Sequence, residues 1–593
     1  MKRSLIILAM MVLALLPLRA QERTAERTYV TTDRSVYVAG DRIWCSAFCV
    51  TGEGRLSDVS RVAYLELHSA DGMAATAKLA LNGGRGAGYL DLPTSLPTGN
   101  YRLVAYTAQN KDEVDYDYTG LASKTLSIFN VFSTDRVTDG VEVVSPEEYS
   151  RQGPQKKCHA RPDLRHPRPD RGSEIPGQAG NDEKLTGYDE TQAGYDVELT
   201  WSPDSVLHIT NNTGSPITFS LSVAREDDII SPTNPDIAEF LSAARTIGQR
   251  NFRYQVLPEL EGEVITGRVV ADAATLRSLL GHNAYLSTPS ENAEVYTSLV
   301  VGDGALTFIT GNFFGNQELV CEIEGADPKA PLRIELNQPF VKAPTTAPDR
   351  LLLSHSLEAS LKARSLAMQQ AARQQADTLY EYLPRWEYPL FDGAPVRYIL
   401  DDYTRFDTME ETFIEFIPQV RVRKGADGRP EIQVRLEEAQ EIRTFTGAQS
   451  LVLLDGVPIF DHERLLLYDP HKIQSIDVYP YTHYLGSSTF AGAVNLITFE
   501  HNLPHFALNK TMQIVPVPGL CWPTAWLGPD PESPAEAQDC YQTLFWHPLL
   551  QLGPGETLTV PIAIPASRAS VSATLEGMTS AAQPVVDSLP LFY

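Results

Sequence analysis

The chain has 593 residues, of which 43% are hydrophobic and 21% charged, and it carries a formal net charge of −26. This acidic excess argues against a nucleic-acid partner, because phosphate binding needs a positive field. The length predicts roughly four domains, and the composition is that of an ordinary globular protein.

The first segment, residues 1–20, has the pattern of a secretory signal peptide. Lys2 and Arg3 supply the positive start, and an apolar run too short to span a bilayer follows at residues 5–18. No later segment reaches transmembrane length. We therefore expect an exported protein, periplasmic or associated with the outer membrane, that has no transmembrane segment of its own.

Residues 27–134 contain short strand-like runs separated by glycine-containing turns, which predicts a β-sandwich. The run TDRSVYVAGD at residues 32–41 and the later LPTGNYR at residues 96–102 resemble the second macroglobulin domain of the alpha-2-macroglobulin family. The resemblance implies a macroglobulin-like sandwich. Tyr37 and Trp44 are interpreted as core residues of this domain.

The middle of the chain divides into four segments by composition and periodicity. Residues 135–195 are rich in proline, glycine and charge, which predicts a disordered linker. Residues 196–258 predict a β-sandwich module, and residues 259–345 predict an Ig-like or carboxypeptidase-regulatory-like β domain. An apolar stripe at helical spacing predicts a long helix over residues 348–384.

Residues 396–502 are predicted to form a small α+β module. Three apolar runs of strand length lie in it, at residues 451–454, 473–478 and 493–498. The Asp-Gly pair after the first run is a turn signal, and further glycines precede the last run.

This stretch resembles the plug domain of TonB-dependent outer-membrane receptors. The motif residues that match are Asp455, Gly456 and Pro458 in an LDGVP turn, and Gly486 and Gly492 before a closing AVNLIT strand. The resemblance implies a structural role for these five residues. It also implies a module that docks an envelope protein, such as a TonB-dependent barrel, or occludes its pore. The segment after the module is too short and too rich in turns to form a membrane barrel of its own.

Residues 505–593 predict a last β-sandwich. Cys521 and Cys540 flank its proline-rich loop and are the candidate disulfide pair. The alternative is that both cysteines remain free thiols. The six cysteines of the chain are compatible with an oxidising compartment.

No known catalytic signature is present: the chain lacks a Gly-x-Ser-x-Gly elbow, a His-Glu-x-x-His pair, a P-loop and a dinucleotide fingerprint. We therefore predict a non-enzymatic protein without catalytic residues, cofactor or metal. The predicted fold class is a mainly β multidomain chain, with Ig- or macroglobulin-like β-sandwiches plus an α+β plug-like domain. This arrangement resembles exported proteins of Bacteroidetes-type bacteria.

Three functions follow as hypotheses from different classes. The first is an exported binding or assembly protein whose plug-like module docks an envelope partner. The second is a macroglobulin-type protease inhibitor or defence protein. It lacks the Cys-x-Glu-Gln thioester motif, since the nearest match is Cys321-Glu322-Ile323-Glu324. The third is a secreted scaffold or adhesin.

Overall fold

The computed structural model shows a chain built from many small β-sheets, which confirms the predicted fold class of β-sandwiches with one α+β module. The structure describes residues 26–111, 123–133, 136–152, 197–247, 258–290, 293–311, 313–340, 348–373, 379–383, 390–391, 393–425, 428–439, 442–529, 539–563, 565–567 and 570–591. The predicted signal peptide lies outside these ranges. Within them, no helix has the length and apolar character needed to cross a bilayer.

The first sandwich is an eight-stranded sheet that folds over a common core. Its strands are β1 (Glu26–Thr32), β2 (Val36–Val38), β3 (Arg42–Thr51), β4 (Val62–Ser69), β5 (Gly72–Asn82), β6 (Arg85–Asp91), β7 (Gly99–Tyr106) and β8 (Ser123–Phe129). They are hydrogen-bonded in the order β1-β3-β6-β5-β4-β7-β8-β2. Tyr37 and Trp44 are buried, and the Tyr37 hydroxyl donates to Asp33 Oδ1 at 2.8 Å. Both side chains therefore serve in packing.

The segment predicted as a disordered linker, residues 135–195, is structured at its start. Strand β9 (Val141–Val143) and helix α1 (Pro146–Gln152) follow the first sandwich. Tyr149 of α1 is buried, and its hydroxyl accepts the N–H of Ile230 at 2.8 Å. The linker prediction is wrong here because a single anchoring tyrosine leaves no periodic pattern; residues 153–196 lie outside the described part.

The second sandwich begins after this segment with β10 (Val197–Ser202), β11 (Val206–Asn211), β12 (Ile217–Glu226) and helix α2 (Ile237–Ile247). The helix packs between domains. The Phe240 ring lies 5.1 Å, centroid to centroid, from the ring of Tyr29 on β1. Helix α2 thereby joins the first and second sandwiches through one apolar cluster.

The third sandwich has two facing sheets around one core. Its own elements are β13 (Glu263–Val270), α3 (Ala273–Leu279), β14 (Asn283–Ser287), β15 (Val295–Leu299), β16 (Ala305–Thr310), β17 (Asn316–Ile323) and β18 (Arg333–Leu336). One sheet has the order β16-β13-β18, and the other contains β15-β14-β17. Helix α3 is capped by Asp272, whose Oδ1 accepts the N–H groups of Ala274 and Thr275.

The predicted helix over residues 348–384 is shorter in the structure. Strand β19 (Leu351–Leu353) comes first, then helix α4 (Glu358–Arg373), then strand β20 (Tyr380–Tyr382). Strand β19 pairs with β9 in parallel. The backbone of β19 is therefore used in a sheet, and the helical apolar spacing could not reveal that distant partner.

The motif module follows, and we use this name for residues 393–512. Its elements are β21 (Val396–Ile399), α5 (Met409–Phe416), β22 (Val420–Lys424), β23 (Pro430–Val434), β24 (Leu436–Ala439), β25 (Ile442–Thr444), β26 (Leu451–Leu454), β27 (Val457–Pro458), α6 (His462–Leu466), β28 (Ile473–Leu485) and β29 (Ser488–Thr498). The main sheet has the order β21-β28-β29-β26-β27. Strands β26, β28 and β29 contain the three predicted apolar runs and confirm them.

The C-terminal segment does not form the separate sandwich predicted for residues 505–593. Its strands are β30 (Gln513–Pro518), β31 (Thr524–Trp526), β32 (Thr543–Leu552), β33 (Thr557–Pro561), β34 (Ser570–Thr579) and β35 (Pro584–Leu591). Strand β30 adds to β17 of the third sandwich, and β31 pairs with β20. The last four strands complete the second sandwich in the sheets β10-β11-β33 and β32-β12-β34-β35. The predicted modules 196–258 and 505–593 thus share one core.

The predicted pairing of Cys521 with Cys540 is not formed in the structure, where the two thiols lie against different sandwiches. The reason is that the C-terminal segment is shared among several sandwiches, so its two cysteines lie in different places. Cys521 lies against the first sandwich, where its thiol donates to the Tyr89 carbonyl at 3.1 Å. Cys540 lies near Arg225 of the second sandwich, and its thiol hydrogen-bonds with Tyr541.

Candidate functional site: the docked motif module

Strand β17 is covered on both faces, which places it at the centre of the candidate site. Successive side chains of a strand point to opposite faces. Leu319, Cys321 and Ile323 pack in the third-sandwich core, whereas Val320 belongs to the core of the motif module. Glu322 points to the same side as Val320. The motif module therefore docks on the outer face of the third sandwich of its own chain.

A second apolar contact comes from the neighbouring strand β14. Tyr285 is fully buried in a cluster with Leu451, Leu453 and Phe490 of the motif module. Its ring centroid lies 5.3 Å from that of Phe460. Burial of an aromatic side chain of this size stabilises by roughly 2–3 kcal/mol, so Tyr285 contributes substantially to docking.

The predicted motif residue Asp455 follows β26, and its side chain is completely buried. Carboxylate Oδ1 accepts the N–H of Thr498 at 2.7 Å. Oδ2 accepts the Thr498 hydroxyl and the N–H of Leu503, each at 2.8 Å. Asp455 therefore ties the turn to the end of β29, which is a structural role.

The next motif residue, Gly456, brings this turn against the third sandwich. Its φ of +77° is in the left-handed region that favours glycine. A Cβ built on it would lie 1.8 Å from the Cβ of Ala293. Beside it, the N–H of Ser290 donates to the Asp455 carbonyl at 3.2 Å. The turn that carries the sequence resemblance is thus an internal docking contact.

The second glycine turn of the motif, at Gly486, docks on the same sandwich through polar contacts. Asn283 Oδ1 accepts the N–H of Ser487 at 3.2 Å and its hydroxyl at 3.0 Å. Asn283 Nδ2 donates to Ser488 Oγ at 2.8 Å, and the Ser488 hydroxyl donates to Glu324 Oε2 at 2.7 Å. The β28–β29 hairpin is therefore fixed on β14 by a connected polar network.

The remaining motif residues, Pro458 and Gly492, lie inside the module. Pro458 ends β27, opposite Leu453 on β26. Gly492 has a φ of +77°, and a Cβ there would lie 2.6 Å from Val434 Cγ1. Of the predicted motif residues, some therefore contribute to the contact with the third sandwich and the others to packing within the motif module.

Glu322 is a buried carboxyl at the domain contact, and sequence analysis assigned it no role there. Burial raises its pKa from 4.5 to about 8, and the nearby Asp461 adds to the rise. The N–H of Phe460 and the Arg464 guanidinium act in the opposite direction with smaller effect. Glu322 Oε2 has no hydrogen-bond partner among the described residues. The only signal in the sequence was an acidic residue within an apolar strand.

The nearest match to a thioester motif, at residues 321–324, lies on this same strand. Cys321 faces the sandwich core, and burial raises the pKa of its thiol to about 12. Glu324 faces the motif module, where it accepts hydrogen bonds from Ser488 and Tyr285. The two side chains point to opposite faces, so this strand cannot bring them together for a thioester link.

An open cavity of about 500 Å³ lies at the edge of the docking contact. It is lined by residues of both domains: Asn283, Thr297, Ser298, Leu299, Val301, Thr307, Gly486 and Ser487. Leu299 is 42% exposed and Val301 is 50% exposed. Tyr484, two residues before Gly486, is 78% exposed. Docking thus creates a composite surface, which we define as this cavity with Leu299, Val301 and Tyr484.

The described residues contain no group of three or more His, Cys, Asp or Glu side chains placed to hold a metal ion. Residues 153–195 of the predicted linker, which include Cys158, His159 and His166, lie outside the described ranges. The contacts of the site are apolar packing and hydrogen bonds within the chain. These contacts hold the third sandwich and the motif module together, and the two domains jointly form the composite surface.

Comparison with known proteins gives a structural likeness alone. No protein-family model and no curated protein matches the chain. Solved structures do match, among them alpha-2-macroglobulin from Salmonella reacted with methylamine, at 10% identity and a TM-score of 0.22. Trypsin-activated alpha-2-macroglobulin from Escherichia coli matches at 8% identity and the same TM-score. The matches cover 98% and 96% of this chain but only 40% and 41% of those chains.

These TM-scores are too low to carry an argument about function, and the fold class rests on the strands described above. Together, fold and site define a class of protein: a multidomain β-sandwich protein that carries an internally docked α+β module.

We expect substitution of Gly456 by alanine to loosen the docking contact. The added methyl group meets the Cβ of Ala293, and the left-handed backbone adds strain, for a combined loss of about 2 kcal/mol. Gly447→Ala is the matched control, because Gly447 has a φ of +75° with open space around it. Thermal unfolding of the full chain should show the larger loss for Gly456→Ala. Equal losses would show that the contact with Ala293 contributes nothing.

Proposed function

We propose that this chain is a non-enzymatic, exported binding and assembly protein, whose composite surface docks a protein of the bacterial envelope. The observation that carries the proposal is the use of the motif turns within the chain. The turns at Gly456 and Gly486 both pack against the third sandwich of the same chain. Because these turns already have a contact within the chain, a partner would bind the composite surface, which remains exposed after docking.

The chemistry of the composite surface supports a protein partner. Leu299 and Val301 line a cavity that also has hydroxyl groups, and the exposed Tyr484 lies two residues before Gly486, which lines the same cavity. Tyrosine is enriched among the residues that anchor protein interfaces, so the exposed Tyr484 is the main candidate anchor. The resemblance of the motif module to receptor plugs makes a TonB-dependent barrel the partner that we propose first.

The test is crosslinking and pull-down from native envelopes with the mature chain tagged at its C-terminus. The double variant Leu299→Asn/Tyr484→Ser should reduce recovery of the envelope partner roughly tenfold, because loss of an aromatic anchor typically costs more than 1 kcal/mol. Leu366→Asn is the control, since Leu366 is 59% exposed on helix α4, in a different part of the chain.

Two outcomes would contradict the proposal. One is equal recovery with the wild type and the double variant, and the other is recovery of no envelope protein at all. The protease-inhibitor and scaffold hypotheses stay predictions, because no contact in the described ranges favours either of them. The segment that would serve as a bait loop is largely within residues 153–196, outside those ranges.

A further inference from the structure

Cys521 lies on the segment that leaves the third sandwich and crosses the first sandwich. Its N–H donates to the Lys78 carbonyl on β5 at 2.7 Å, and its thiol donates to the Tyr89 carbonyl on β6. Two strands of the first sandwich therefore fix its position. Cys521 packs against the core of that sandwich, which includes Cys45.

Gly88 makes room for the Cys521 side chain. A Cβ built on Gly88 would lie 2.4 Å from Leu79 Cδ2, 3.1 Å from the Cβ of Cys521 and 3.3 Å from its Sγ. The residue directly opposite Gly88 in the β3–β6 pairing is Cys45. Residues directly opposite in an antiparallel pair point to the same face, with Cβ atoms about 4.5–5.5 Å apart. The side chains of Cys45 and Cys521 therefore share the space above Gly88.

The electrostatics agree with this proximity. Burial raises the pKa of the Cys45 thiol, and the neighbouring Cys521 adds to the rise. Burial also raises the pKa of Cys521, to about 11. The other buried cysteine on β3, Cys49, has Glu26 as its charged neighbour.

We propose that Cys45 and Cys521 form a disulfide bond that fastens the C-terminal segment to the first sandwich. The compartment in which it forms rests on the proposed export of the chain, because disulfides persist in oxidising environments. The bond requires Cβ atoms about 3.5–4.5 Å apart. It forms by approach of the two side chains above Gly88, beside the Leu79 side chain.

The reaction is thiol–disulfide exchange with an oxidised dithiol protein or glutathione disulfide. One cysteine thiolate attacks the donor disulfide and releases a donor thiolate, which leaves a mixed disulfide. The second cysteine thiolate then displaces the remaining donor sulfur. The two cysteines lose two protons and two electrons, and the donor disulfide is reduced to two thiols. Because both thiols are buried and protonated when folded, the exchange takes place during folding, before the segment closes.

The experiment is refolding of the full mature chain in a glutathione redox buffer, followed by alkylation and tryptic mass spectrometry. Trypsin leaves Cys45 with Cys49 on residues 43–55, and Cys521 with Cys540 on residues 511–568. The double variant Cys49→Ala/Cys540→Ala therefore retains one cysteine on each peptide. We expect the two peptides to be linked in this variant and unlinked in Cys45→Ala.

A stability measurement on the wild type complements the peptide analysis. The oxidised chain should unfold about 5 °C above the reduced chain, a difference that Cys521→Ala abolishes and Cys540→Ala retains. A Cys521–Cys540 link in the wild type, or unlinked peptides in the double variant, would overturn the proposal. Because refolding is done in vitro, failure here is distinct from failure of export or of partner binding.

Discussion

Replacement of Asp455 by alanine should lower the free energy of unfolding of the motif module by roughly 4 kcal/mol. The Asp455 carboxylate accepts three hydrogen bonds, from the Thr498 N–H, the Thr498 hydroxyl and the Leu503 N–H. Removal of the carboxylate leaves these donors buried, and each unsatisfied buried donor costs about 1–3 kcal/mol. The positive φ of residue 455 adds strain for alanine.

The measurement is hydrogen–deuterium exchange of peptides that cover β26 and β29, because it reports the local stability of one module in a multidomain chain. Thr498→Val is the matched control. It removes the hydroxyl, which donates to Asp455 and also accepts the N–H of His501, and should cost about 1–2 kcal/mol. If Asp455→Ala exchanged no faster than Thr498→Val, the carboxylate would not be what holds the turn to β29.

Replacement of Glu322 by glutamine should remove a pH dependence from the docking contact. The pKa of Glu322 is raised to about 8 in the folded chain, against 4.5 for the exposed group. Between these two pKa values the folded state holds a proton that the unfolded state has released. The stabilising effect of the neutral carboxyl is therefore complete below the lower value and is lost as the pH rises to the upper value.

The expected size of this effect at the upper end of the window is on the order of 4 kcal/mol. Thermal unfolding from about pH 5 to about pH 8.5 should show the wild type losing stability relative to Glu322→Gln. Glu318→Gln, at an exposed position of the same strand, is the control and should follow the wild type. A constant difference between wild type and Glu322→Gln would mean that Glu322 does not change protonation in this window.

The elements that sequence analysis predicted well are those whose pattern is local. The apolar runs that became β26, β28 and β29 have the length and β-branched content of buried strands. The three motif glycines all adopt positive φ, a conformation that favours glycine, which explains why glycine occurs at Gly456, Gly486 and Gly492.

What sequence analysis missed depends on partners far along the chain. The sequence predicts two separate β modules at residues 197–226 and 543–591, because strand periodicity does not indicate which strands pair. The docking contact was missed for the same reason. Val320 and Glu322 alternate with core residues on β17, which is the pattern of a strand buried on both faces. Only the tertiary structure shows what covers the second face.

The path of the C-terminal segment sets the order of events when the chain is made. The second sandwich has its first three strands at residues 197–226 and its last four at residues 543–591. While the chain emerges from its N-terminus, β10 can pair with β11, but β10, β11 and β12 lack the strands that complete their core until almost the whole polypeptide has been synthesised. Such an intermediate exposes strand edges that invite aggregation. We therefore expect the second sandwich to complete its folding only after residues 543–591 have been synthesised, and a truncation before these residues to leave it without part of its core.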